Sequence, residues 1–456
     1  MKKRLARILA VTLGAATLLT GCGGNSGQKT SDSSKKSDDQ KITEDVTKTE
    51  GEIEVWTNLS QEEMNFYVEE FNKIVPGVKV KVTVMPSKEY RTKLQNAFRT
   101  GTNAPDVATF EISDLGVYKE TDMLENLSQE KYGAEDISKD MIPYVDELSR
   151  DKEGDIRGLS WQSTPGGFWY KKALAKEYLG TDDPDKVQEA LSSWDKFNSV
   201  AEKAAAKGYK MLSGYDDAYR VFSNNVSAPW VDSNNKIVID DNIMKWVDQT
   251  KLFTEKGYNN KSSLWDNVWA ADQGPKGKVF GFFYSTWGIN FTLLGNSLAT
   301  PVKEGGKEEV GNGIYGDYAV CQGPQSYYWG GTWICAASGT DNPNLIKEIM
   351  KTLTCDKSTE VQITKDTQDY TNTISGMNEL ASSDFKSAFL GGQNHIKLFA
   401  QAAPKINMKN ISAYDQGLNE EFQKAMKDYF DGNVTKDKAL DNFYKAAIEK
   451  YPNLSK

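Results

Sequence analysis

Histidine is almost missing from this sequence: His395 is the only one in 456 residues. Ser/His/Asp chemistry and histidine metal clusters are therefore nearly excluded, since each needs imidazole beside its partners. Cysteine is scarce too, with only Cys22, Cys321, Cys335 and Cys355, and no CxxC spacing joins them. That argues against a zinc site or a disulfide framework. A Cys321–Cys335 bridge is possible, with buried thiols as the default. No P-loop, GxGxxG or calcium-loop pattern occurs, no internal repeat is found, and no cofactor is expected. Positive charge is in deficit: the formal net charge is −9, and it falls further without the basic residues Lys2, Lys3, Arg4 and Arg7. A phosphate backbone needs a basic surface, so nucleic acid is not an expected partner.

What is present begins at the N-terminus. Those four basic residues precede an apolar stretch from Ile8 to Leu19 and then Leu19-Thr20-Gly21-Cys22. The stretch is too short for a permanent membrane helix, which needs about 20 apolar residues. The order is that of a secretion signal. It resembles the bacterial lipoprotein signal, which implies that residues 1–21 are removed and that Cys22 carries a lipid anchor. Residues 22–50 follow as a polar tether, with Ile42 and Val46 its only sizeable apolar side chains. Such a stretch cannot bury enough surface to fold and, as a coil, spans roughly 30 Å.

About 400 residues remain, enough for two lobes with substantial cores. Glu52 to Trp56 reads as a buried strand, and Ser60 with Glu63 forms a capping box opening a helix that carries Met64, Tyr67, Phe71 and Ile74 on one face. Val78 to Val84 alternates as a strand, Tyr90, Leu94 and Phe98 mark a second helix, and Asp106 to Phe110 a third strand. This β-α-β-α-β order begins an open, mostly parallel α/β sheet. Ligands bind beyond the carboxyl ends of such strands, which predicts Trp56, Asn58 and Glu111 together at one rim. Gly158 to Lys172 suits a crossover between lobes. Strands are also expected over Lys236 to Asp240, Val279 to Tyr284, Tyr318 to Cys321 and Thr332 to Ala337, with a mainly helical remainder from Asn344.

The segments EIEVWTN, APDVATFE, GLSWQSTPGGFWYKK, FYSTWG and GGTW followed by ICAAS occur in an order that resembles the extracellular solute-binding proteins of bacterial ABC importers, of the maltose-binding type. Two stretches depart from the family pattern: Ser163 to Gly167 and Ser213 to Trp230. The resemblance implies a type II, two-lobed periplasmic-binding-protein-like α/β fold with a hinge, a monomer that closes on its ligand and passes it to permease subunits in the membrane. Lobe one is expected at 51–166 plus 334–385, and lobe two at 167–333 plus 386–456.

A pyranose has an apolar face and a rim of hydroxyls, so its site needs flat rings with planar donors and acceptors. The 11 Trp and 21 Tyr, many beside Gly, Pro, Asn or Asp, suit an oligosaccharide. Trp287 and Trp333, each next to glycine, are the expected stacking pair and resemble the family's stacking positions. Trp56, Trp161 and Trp230 are further candidates, and Trp265 and Trp269 serve equally as stacking or packing groups. Asn58 and Glu111 would meet hydroxyls from lobe one, with Asp216, Asp217 and Asn225 from lobe two. Arg220 is expected to pair with the two aspartates rather than to clamp an acidic sugar. Trp194 and Trp246 read as core. The alternatives are a lipoprotein glycoside hydrolase, which would need two suitably spaced carboxyls, and a binding protein that feeds a sensor. Peptide or polyamine binding stays open because one fold hosts many ligands.

Overall fold

The computed structural model describes residues 46–100 and 104–456; the signal segment, Cys22 and most of the tether lie outside them. Ten strands occur among the described residues: β1 (Gly51–Thr57), β2 (Val78–Val84), β3 (Val107–Glu111), β4 (Leu159–Ser160), β5 (Gly166–Lys171), β6 (Leu212–Gly214), β7 (Asn259–Ser262), β8 (Gly281–Ser285), β9 (Tyr318–Cys321) and β10 (Thr332–Ala336).

Helix α1 (Gln61–Ile74) starts where the capping box predicts it, with Ser60 accepting from the Glu63 amide and the Glu63 carboxylate accepting from the Ser60 amide. Its buried face carries Met64, Tyr67 and Phe71. Each such side chain removed from water contributes about 1.5–3 kcal/mol, enough to hold α1 against Ile53 and Val55 of β1. Helix α2 (Ser87–Thr100) buries Tyr90 and Leu94, and the Tyr90 hydroxyl donates to the Thr109 carbonyl at 2.7 Å.

Two sheets result. The first has the order β2-β1-β3-β10-β4, with β1 parallel to β2 and β3 and with β10 antiparallel to both its neighbours. The second has β5 between β8 and β9, antiparallel to both. The parallel pair β6–β7 is carried onto its edge, where the Gly281 amide donates to the Met211 carbonyl. Trp169 and Phe168 of β5 are fully buried here, packed on Phe399 and Phe197.

Between the sheets the chain crosses in segments that bond to each other. The Gly166 amide donates to the Tyr327 carbonyl at 2.7 Å, the Trp329 amide to Thr164 at 3.1 Å, and the Ser163 amide to Tyr370 at 3.1 Å. Thr164, Gly330 and Gly331 have φ of 50°, 95° and 100°. A threonine in the left-handed region is strained, and here the bonds on either side hold it.

Several expectations are corrected. The ordered body begins before residue 51: Val46–Lys48 form a 3-10 turn, Val46 packs on the core, and Thr49 is fully buried. Strand β10 starts at Thr332, so Thr332 and Trp333 belong to the first sheet rather than the second lobe. Lys236 to Asp240 forms no strand; it makes isolated bridges, Val231 with Ile237 and Lys236 with Ser455, and Asp240 instead caps the helix Asp241–Lys256. The default reading of the cysteines, by contrast, holds: Cys321 and Cys335 are free buried thiols on different sheets.

Candidate ligand-binding cleft

The strand ends that face the crossing segments carry a cluster of tryptophans. Trp287 follows β8, and Trp329 lies within the crossing between β9 and β10; the Trp287 indole donates to the Trp329 carbonyl at 2.6 Å. Their rings meet edge to face with centroids 5.1 Å apart. Trp265 stacks on Trp287 at 6.2 Å and 21° and touches Trp329 at 5.8 Å. Phe291 closes the group against Trp287 and Trp265.

Two of these rings are open to solvent, Trp265 at 52% and Phe291 at 38%. Trp265 also has φ 72°, a left-handed backbone that a bulky residue adopts only where the surroundings impose it. The cause lies on either side of it: Asp216 accepts the Leu264 amide, and Asp266 accepts the Trp269 amide to cap the short helix Asn267–Asp272. An exposed aromatic held in a strained conformation is what a stacking surface requires and a core does not.

Polar groups surround the rings. Arg220 lies over Trp329, its guanidinium carbon 3.9 Å from the ring centre. Asp216 is half-buried, and desolvation pushes its carboxyl up to about 6 against the pull of its own and the Leu264 amides and of Arg220. From the first sheet Glu111 ends β3. Solvent reaches it, yet protein walls it on several sides, and that desolvation raises its carboxyl, with Asp114 adding to the effect and Arg91 and Arg220 opposing it. Glu111 ends a strand of the first sheet, whereas Arg220 belongs to the short helix Tyr219–Ser223 that follows β6. Asn58 lies at the same rim, past β1, with its amide on the Ser87 hydroxyl at 3.3 Å.

Of the residues expected from sequence, this cluster gathers Trp287, Asp216 and Glu111, with Asn58 at its edge. The others have structural positions. Trp333 is 1% exposed, and its indole donates to the Ser149 hydroxyl at 3.0 Å; the alternation of β10 turns it into the first lobe's core. Trp161 is buried against Tyr67 with centroids 4.3 Å apart. Trp56 turns back along its strand, its indole donating to Glu54 at 2.9 Å, away from the rim. Trp230 is buried between Phe422 and Phe443 of the C-terminal helices and donates to Asn419. Asp217 lies beneath the site, accepting from the Ser213 and Gly214 amides and the Trp269 indole. Asn225 is exposed, but its amide bridges the Val221 and Ser326 carbonyls.

The sequence reading passed over Trp329 and Phe291, and it paired Arg220 with the aspartates. Trp329 stands directly before Gly330-Gly331, the same flanking that singled out Trp333, so its signal was present and was given to the wrong tryptophan.

The comparisons agree with this architecture. The structure of a family 1 extracellular solute-binding protein matches at 16% identity and TM-score 0.73, over 87% of this chain and 99% of that one. The galacto-N-biose/lacto-N-biose I-binding protein of an ABC transporter from Bifidobacterium longum matches at 19% and TM-score 0.67, covering 89% and 97%. The sugar-binding protein MalE of Xanthomonas citri matches at 15% and TM-score 0.66, covering 87% and 96%. At these identities the likeness establishes the two-lobed fold. The profile of one family also matches residues 67–389. With most of its length so matched, this chain belongs to the bacterial extracellular solute-binding protein family.

Proposed function

We infer that this protein captures a saccharide between its two lobes at the outer face of a bacterial membrane and hands it to the permease of an ABC importer. The observation that carries the reading is the surface of Trp265, Trp287 and Phe291, backed by the buried Trp329, with Arg220 and Asp216 beside it and Glu111 at the rim of the first sheet. Flat rings take the C–H face of a pyranose, while the charged groups take its hydroxyls. The lobe division supporting closure follows the two sheets, and the bonded crossings between them act as the hinge. Cys22 anchors the chain by lipid. No helix among the described residues is long and apolar enough to cross a membrane.

Binding rather than hydrolysis is the better reading of the carboxyls. Both Asp216 oxygens are engaged by the Leu264 amide, and the family is one of binding proteins. The test is a thermal-shift screen against a glycan panel, followed by calorimetry and by chromatography of the recovered sugar. Stabilisation by a glycan that is recovered intact supports the reading. Peptide or polyamine ligands stabilising the protein where no glycan does, or shortened sugar products, would overturn it.

A further inference from the structure

Asp216 and Arg220 stand four residues apart across one turn, a spacing at which aspartate and arginine ordinarily pair. Here they do not. Both Asp216 oxygens accept from the Leu264 amide, at 3.1 and 3.2 Å. The Arg220 guanidinium carbon instead lies 3.9 Å over the ring centre of Trp329, which is itself stacked on the buried Tyr284 with centroids 5.6 Å apart and planes at 12°. The result is a rigid column of Tyr284, Trp329 and Arg220. Among the described residues no carboxylate comes within ion-pair distance of the guanidinium, and none accepts a hydrogen bond from it.

Stacking fixes the plane of a guanidinium and leaves its edge, with its fork of N–H donors, open. Arg220 is half-buried, so water can reach the edge in the free protein; a ligand that enters the cleft displaces that water and has to supply an acceptor in its place. A hydroxyl satisfies one donor at a time, whereas a carboxylate matches two in parallel. We propose that the saccharide carries a carboxylate, as a uronic acid does, and that the edge of Arg220 receives it. This rests on the saccharide reading above and names the ligand class within it.

The experiment titrates the full mature chain calorimetrically with oligogalacturonides and glucuronate-bearing xylo-oligosaccharides, and with the same sugars after reduction of each carboxylate to a primary alcohol. In the parent, at least one acid binds tenfold or more tighter than its reduced form, about 1.4 kcal/mol. Arg220→Gln weakens the acid by about 30-fold or more and the reduced sugar by much less, so that the preference for the acid is lost. Arg220→Lys, which keeps the charge but loses the fork, falls between them and carries the test should Arg220→Gln not fold. A reduced sugar that binds as tightly as its acid, or a preference for the acid that survives in Arg220→Gln, overturns the carboxylate inference while leaving saccharide binding intact. If none of these sugars binds, acidic or reduced, this inference falls, and the broader glycan screen decides the saccharide reading separately.

Discussion

The indole of Trp287 donates to the main-chain carbonyl of Trp329 across 2.6 Å, which ties the end of β8 to the segment that crosses between the sheets. Gly330, next in the chain, has φ 95°, and a Cβ there would stand 2.9 Å from the Trp287 indole nitrogen. On the reading proposed above, a ligand that stacks on Trp287 would therefore press on the crossing through this bond.

Trp287→Ala and Trp329→Ala are expected to weaken saccharide binding by about 2 kcal/mol or more, roughly 30-fold, as for buried aromatic anchors. Trp333→Ala and Trp161→Ala are expected instead to cost about 3–5 kcal/mol of folding stability, with near-parental affinity in whatever folds. Calorimetry paired with urea denaturation separates the two classes. An affinity loss confined to Trp333→Ala would return that residue to the site.

At Trp265 the left-handed backbone predicts an unusual order of stabilities. Glycine adopts φ 72° without penalty and alanine does not, so Trp265→Gly should be more stable than Trp265→Ala by about 1 kcal/mol. Both should lose affinity together because both lack the ring. Alanine equal to or more stable than glycine in chemical denaturation would mean that the conformation relaxes in solution.

His395 is fully buried, and its Nε2 meets the Gln368 carbonyl at 2.7 Å. Burial pushes its pKa down from 6.5 to about 4. The unfolded chain then binds the proton more readily than the folded one, so this contribution to stability is complete above pH 6.5 and is lost as pH falls to about 4. The loss is about 3 kcal/mol. Asp216 and Asp217, which burial raises to about 6 and about 7, act oppositely and gain stability as they protonate. The informative quantity is thus the difference between parent and His395→Gln in denaturation midpoints at pH 7 and pH 4.5. The parent should lose about 2 kcal/mol or more relative to the variant; equal losses would show that the imidazole is not held neutral.

Cys22→Ala is expected to release the protein from bacterial membranes into the medium, and the parent should begin at residue 22 after processing. Fractionation and mass spectrometry of the mature N-terminus read this directly. Continued membrane association of the variant would point to an uncleaved apolar segment.

Taken alone, the sequence determined the α/β class, the opening β-α-β-α-β order, the capping box at Ser60 and Glu63, the crossover around residue 165 and the family resemblance. These rest on local periodicity and short motifs, which act over a few residues. It also placed Glu111 and Asn58 at the sheet's rim, because strand polarity alone decides which end a residue occupies. What only the tertiary structure decided is where each tryptophan packs. Trp329 and Trp333 sit four residues apart beside the same glycines, yet one packs between Tyr284 and Arg220 beside the cleft and the other fills the first lobe's core. That division depends on β10 pairing with Phe110 on one side and Ser160 on the other, contacts made by residues about 170 or more positions away. The Arg220 stack on Trp329 follows from the same cause: whether an aspartate four residues away or a distant ring takes the guanidinium is settled only once Leu264 has claimed Asp216.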